Sequence, residues 1–246
     1  MEVGTIQNKR SLFAAEFLGT LFLFTAVFFT AWFHHRPLTV AVGVSCGLII
    51  GIIAFGRYSG AHFNPAFTLS YFLFVLPQKD RKKHIYTCFI MILAQFSGGL
   101  GGGLILAAVV GLNQPVLLPK EDNLFGAFLN ETFFTFMFFT LVFCVKSSKH
   151  NFTEDSFLGA FAVSISLTGF ILYAGTLSGA CFNPSIGFSF IFWSSIAHSD
   201  LSYWKFLPFY FVANTLGGFL GGALFRYFIE KEDEFEFVKE KTTTLL

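Results

Sequence analysis

Residues 59–66 read Ser59-Gly60-Ala61-His62-Phe63-Asn64-Pro65-Ala66, and residues 178–185 read Ser178-Gly179-Ala180-Cys181-Phe182-Asn183-Pro184-Ser185. Six of the first seven positions agree. The groups with chemistry to offer are Asn64 and Asn183, whose amides each carry two N–H donors and one carbonyl acceptor. Asn before Pro, with an apolar run behind it, suits a helix start: Asn caps, and Pro takes the first turn, where its missing N–H costs nothing. Each run is too short to cross a bilayer. Between Pro65 and Pro77 there is room for about 10 helical residues, roughly 15 Å, or half of a hydrocarbon core of about 30 Å. Two such half-helices meeting at mid-membrane would present two partly positive N-termini and two amide donors to anything passing between them. A water there must turn its oxygen toward both donors, which repels cations and interrupts proton relay along a file of waters. The chemistry expected is passage of a small uncharged molecule, with no bond made or broken. A lone Asn-Pro is usually a turn; two copies, each opening a half-helix, are far more specific.

Other reactive side chains are sparse. Glu16 and Glu131 fall inside apolar stretches, where a carboxylate is a functional-site hypothesis by default. An irregular re-entrant loop has backbone N–H groups that must be satisfied within the protein, and one acid per half suits a loop anchor better than a proton relay. His62 reads as a loop anchor or lumen-lining group, because no second His or Cys stands at metal-ligand spacing. Cys46, Cys88, Cys144 and Cys181 are scattered through apolar segments, so neither a disulfide framework nor a zinc site is expected. Cys181, two residues before Asn183, is either a small buried apolar residue or a pore-facing thiol open to mercurials. No phosphate loop, nucleophile elbow or ligand cluster appears. The expectation is a non-enzyme without metal or cofactor, and a net charge of +1 points away from nucleic acid.

The elements that must position the boxes are membrane spans. The 246 residues are 54% hydrophobic and 13% charged, with mean hydropathy +0.65; a soluble domain is roughly a quarter charged. Hydropathy predicts six full spans near 11–33, 38–57, 85–111, 125–145, 156–175 and 204–229, with half-helices near 65–75 and 184–195. The chain divides into a cytoplasmic N-terminus (1–10), a first repeat (11–111), an outer linker (112–124), a second repeat (125–229) and an acidic cytoplasmic tail (230–246). Gly-rich stretches that begin at Ala94 and Ala213 match at the same 119-residue offset that separates Asn64 from Asn183. Three full spans per half is an odd number, so the second half is inverted, the arrangement in which broken helices meet at the midplane. With the N-terminus inside, 13 of the 16 lysines and arginines fall on the inner side, as the positive-inside rule requires. The predicted fold class is an all-α membrane protein of six spans plus two re-entrant half-helices. Gly98 with Gly102 and Gly217 with Gly221 form GxxxG pairs for close helix contact in lipid.

The duplicated SGAxFNP boxes, the Ala15-Glu16-Phe17-Leu18-Gly19-Thr20 start and the Gly-rich third and sixth spans resemble the aquaporin family of major intrinsic proteins over roughly residues 11–229. The resemblance implies the six-helix bundle with one pore per subunit of a homotetramer. It implies pore boxes at Asn64, Pro65, Ala66, Asn183, Pro184 and Ser185, and a selectivity filter at Val44, Ile171, Ala180 and Ile186. The family's second box ends in Arg, and here Ile186 stands in that place. Such a filter is expected to be wider, apolar and without a fixed positive charge, similar to that of plant tonoplast intrinsic proteins. The cargo expected from this is water with small uncharged solutes such as urea, ammonia and hydrogen peroxide. Glycerol is less favoured, because Gly187 replaces the Asp typical of glycerol facilitators and the outer loops are short. Three other readings stand beside it. They are a solute-selective pore that conducts water poorly, a non-conducting membrane junction or scaffold protein, and a proton-coupled transporter using Glu16 and Glu131.

Overall fold

The computed structural model describes residues 8–33, 36–76, 79, 81–112, 117–147 and 150–230. The acidic tail from 231 onward and the first seven residues lie outside the described residues. Among the described residues eight α-helices follow one another: α1 Lys9–Phe33, α2 Pro37–Ser59, α3 Pro65–Ser70, α4 Arg81–Val110, α5 Leu124–Lys146, α6 Ser156–Ser178, α7 Pro184–His198 and α8 Leu207–Leu224. A π-turn, Tyr71–Val75, continues α3, and another, Phe225–Ile229, continues α8; a 3-10 segment, Leu201–Phe206, leads into α8. Six segments are long and apolar enough to cross a membrane, and no strand occurs among the described residues. The observed spans run a few residues past several predicted ends. α1 begins at Lys9 and α6 extends to Ser178, because hydropathy marks the apolar middle of a helix while the polar turns at its ends still complete their hydrogen bonds.

These helices are apolar nearly all round, as lipid-immersed helices must be. Phe89, Leu104 and Val109 on α4 and Phe133 on α5 are exposed, while Phe24, Phe28, Phe139 and Phe143 are buried. The halves repeat one packing plan. In the first half α1 packs on α2 and α4; in the second α5 packs on α6 and α8, and α2 meets α6 between them.

The glycines set how closely the helices approach. A Cβ on Gly98 would sit 2.4 Å from the Phe17 carbonyl oxygen, and one on Gly217 would sit 2.4 Å from that of Thr132. The neighbouring glycines face elsewhere. Gly99 and Gly103 receive Ser189 and Trp193 of α7, and Gly222 receives Ser70 of α3. Each half's last span therefore grips its own first span with one GxxxG face and the other half's short helix with the next.

Candidate functional site

Each box begins where a span ends on a glycine in the left-handed region: Gly60 (φ +86°) after α2 and Gly179 (φ +85°) after α6. Only glycine takes that conformation without steric cost. Beyond it Ala61 and Phe63 have φ of 51° and 49°, and Ala180 and Phe182 have 51° and 49°. Duplicated sequence has produced duplicated backbone. Left-handed non-glycine residues persist only where the surroundings over-determine them, and here the surroundings are two buried carboxyl groups.

Glu16 of α1 is fully buried. Its Oε1 accepts from Ser59 Oγ (2.5 Å) and His62 N (3.0 Å), and its Oε2 from Phe63 N (2.8 Å) and Gln95 Nε2 (2.7 Å). Glu131 of α5 occupies the equivalent place and accepts from Phe182 N at 2.5 Å. Its second oxygen and the Nδ2 of Asn214 are both buried without a hydrogen bond. Two substitutions between the halves explain the difference. Asn214 is one methylene shorter than Gln95, and Asn130 stands where the first half has Ala15, its Oδ1 accepting from Ser178 Oγ (3.0 Å).

The asparagines do two tasks with one side chain. Asn64 Oδ1 accepts from Ala66 N (3.0 Å) and Phe67 N (3.3 Å), capping α3; Asn183 Oδ1 accepts from Ser185 N (3.0 Å) and Ser185 Oγ (2.8 Å), capping α7. Asn64 Nδ2 donates to Phe182 O at 2.8 Å, and Asn183 Nδ2 donates to Phe63 O at 2.9 Å. Each amide thus crosses to the loop before the other. One of its two hydrogens is engaged there, which leaves one donor per asparagine for the lumen. Ser185, where the first box has Ala66, adds a hydroxyl to its own cap.

Both asparagines line a cavity of about 80 Å³. Val44 of α2, Ile171 of α6, Ala180, Cys181 and Ile186 line it too, together with His62, Leu23, Val27, Leu48, Phe138 and Leu167. The four positions that the resemblance implied for a filter therefore line one space. Glu16 and Glu131 do not line it. No charged residue lines it, and no group of three or more metal-ligating side chains occurs among the described residues. His62 lines it as well, with Nδ1 3.2 Å from Thr68 Oγ1. Thr68 gives its only hydrogen to Asn64 O (2.9 Å), so the His62 contact needs the proton on Nδ1 and leaves Nε2 an acceptor.

The sequence reading missed three residues of this site. Gln95 bridges Glu16 and Thr68, at 2.7 and 2.9 Å. Tyr210, fully buried, donates to Ser178 O at 3.0 Å behind the second box. Lys146 donates to the carbonyls of Gly60 and Ala61. Gln95 was legible as an amide within an apolar span; Lys146 is one of the 13 basic residues that the charge count places on the inner side.

The family model for Major intrinsic protein matches residues 2–225. The chain belongs to the major intrinsic protein family. It is accordingly a multi-pass membrane channel protein and not an enzyme. This major intrinsic protein is 26% identical over 232 residues to the lens fiber major intrinsic protein of Lithobates pipiens, covering 89% of this chain and 81% of that one. It is 30% identical over 184 residues to the glycerol uptake facilitator protein-like 6 of Lactiplantibacillus plantarum, covering 70% and 79%. Among solved structures, the aquaglyceroporin from Plasmodium falciparum superposes with a TM-score of 0.75 at 21% identity, over 90% of this chain and 97% of that one. That likeness is one of fold.

Proposed function

We propose that this protein is a passive channel for water that also passes small uncharged solutes: urea, ammonia and hydrogen peroxide, with glycerol at the upper limit of size. One observation carries the proposal, a mostly apolar cavity lined by the two cross-bonded asparagines. Amide donors held at helix N-termini orient a passing oxygen and oppose cations. Walls of Val44, Ile171, Ala180 and Ile186 offer a solute little beyond a diameter, so selection is by size and lack of charge. In this proposal Glu16, Glu131 and His62 hold the two loops. Residues 11–111 and 125–229 are the two repeats, joined by an outer segment at 112–124. Both termini face the cytoplasm, and four copies assemble with one pore each. Relatives named as aquaporins and as a glycerol uptake facilitator fit either a water or a solute cargo.

The same apolar walls favour a second outcome, a solute pore that conducts water poorly, since a narrow apolar constriction can dewet. Stopped-flow shrinkage of proteoliposomes separates the two. With an impermeant osmolyte the expected result is water permeability well above that of empty vesicles; with urea, a shrinkage followed by rapid re-swelling. Water flux equal to empty vesicles alongside fast urea entry would replace the first outcome by the second. No flux of either would sink both and leave a structural membrane protein.

A further inference from the structure

The buried side of α8 is made almost entirely of short residues. Ala213, Asn214 and four glycines are buried along it, and Tyr210 is the one large side chain among them. Tyr210 does not line the cavity, yet it touches three separate stretches of chain that supply the wall. Its hydroxyl donates to Ser178 O at 3.0 Å, and Leu117 O lies 3.4 Å from the same oxygen. A Cβ on Gly179 would sit 3.3 Å from that hydroxyl, and a Cβ on Gly187 would sit 2.7 Å from Tyr210 Cβ and 2.8 Å from its Cγ. The tyrosine thus fills the room that any side chain at position 187 would need, next to Ile186 in the chain. Leu117, Gly179 and Ile186 all line the cavity. They come from the segment before α5, the turn that ends α6 and the first turn of α7. Lys120 N donates to Leu177 O at 3.0 Å, so the segment before α5 meets the end of α6 at a second point.

We propose that Tyr210 is a specificity-determining positioning residue: by holding Leu117, the Ser178–Gly179 turn and the Ile186–Gly187 step of α7 together, it sets the largest neutral solute the cavity admits. The assignment rests on the proposed passage of water and small uncharged solutes. Apolar walls select by the space between them, and Ala180 and Ile186 each stand next in the chain to a glycine that packs on Tyr210. A side chain carried by a helix and locked by packing holds a site more precisely than a loop does. Without the hydroxyl, the Ser178 and Leu117 carbonyls lose the donor they share, and the two stretches are no longer drawn together. Without the ring as well, α7 loses what it packs on at Gly187. Both changes let the wall open outward, and larger solutes gain more from that than smaller ones.

Proteoliposomes carrying wild type, Y210F or Y210L test this, with urea and glycerol entry followed by re-swelling and the entry into empty vesicles subtracted. The quantity read is the ratio of glycerol to urea permeability, which does not depend on how many pores are folded. Y210F keeps the ring and loses the donor; Y210L loses both. The ratio is expected to rise at least about threefold in Y210F and about tenfold in Y210L, whatever the absolute fluxes do. If Y210L fails to insert, Y210F decides, because it differs from wild type by one oxygen. A Y210F ratio equal to or below that of wild type would overturn the assignment and leave Tyr210 a support of the second box alone. Absence of any neutral flux in the wild type would overturn the proposed function and this inference with it.

Discussion

At the scale of single residues, the two boxes are near copies held by unequal supports. Glu16 accepts four hydrogen bonds, two of them from the strained loop itself, whereas Glu131 has one oxygen bonded and one bare. A hydrogen bond to a charged group is worth about 1.5–3 kcal/mol, and an orphaned buried donor costs about 1–3 kcal/mol. Gln95→Leu removes a donor from both Glu16 and Thr68 and is expected to destabilise the protein by about 2–4 kcal/mol on those figures. Asn214→Leu removes an amide that bonds only Thr135 through its carbonyl (2.9 Å), and is expected to cost less than half as much. Denaturant unfolding in detergent, followed by tryptophan fluorescence, ranks the two. Equal losses would mean that the second half finds its missing bonds in ways the geometry does not record. Cys181 gives a separate test at this scale. It lines the cavity beside Ala180, so a mercurial should block flux in wild type and not in Cys181→Ser. Unchanged wild-type flux after treatment would take the thiol out of the conducting path.

Among the elements, what could be read from sequence was what repeats. Six spans, two half-helices and their inversion follow from hydropathy and from the 119-residue offset, since burial in lipid demands long apolar helices and closed backbone bonding. The partners of the glycines were not legible. Gly98 and Gly99 are adjacent in sequence, yet one meets α1 and the other α7, and a spacing rule cannot say which face turns to which neighbour. The cross-bonds Asn64 to Phe182 and Asn183 to Phe63 were hidden for the same reason: they depend on how two loops from opposite sides dock. The contact of Lys146 was hidden as well, because charge counting does not see a loop carbonyl 85 residues away. The glycine faces make a prediction at this scale. A Cβ at Gly98 would lie 2.4 Å from a backbone oxygen, which no rotamer change can relieve, while a Cβ at Gly159 would meet nothing nearer than a Val145 methyl at 3.5 Å. Gly98→Ala should therefore cost about 1–3 kcal/mol by overpacking, and Gly159→Ala should be neutral or stabilise by up to about 1 kcal/mol through helix propensity. Unfolding midpoints of the two variants in the same detergent check the order, and a neutral Gly98→Ala would show that α1 and α4 do not pack as tightly as described.

For the whole molecule, the question is whether the two halves move against each other. Transporters built on inverted repeats rock one repeat about a site at their interface. In this protein that place is where the halves are fastened. The two asparagines exchange hydrogen bonds with opposite loops at 2.8 and 2.9 Å. Ser70 donates to Gly218 O at 2.6 Å, and Trp193 donates to Leu100 O at 3.1 Å, so each short helix is bonded to the other half's last span. Rocking would break several of these buried bonds together, each costing about 1–3 kcal/mol unmade. The carboxyl groups that a proton-coupled cycle would use do not line the cavity. A body fastened in this way equilibrates a solute and cannot accumulate it. Uptake of labelled urea into proteoliposomes should rise linearly with outside concentration and level off when inside and outside are equal. An imposed pH gradient should not change that level, and preloading with unlabelled urea should not speed entry. Saturation, an overshoot driven by protons, or acceleration by preloading would each show that the halves exchange conformations, and the fastening at the asparagine pair would then have to open once in every cycle.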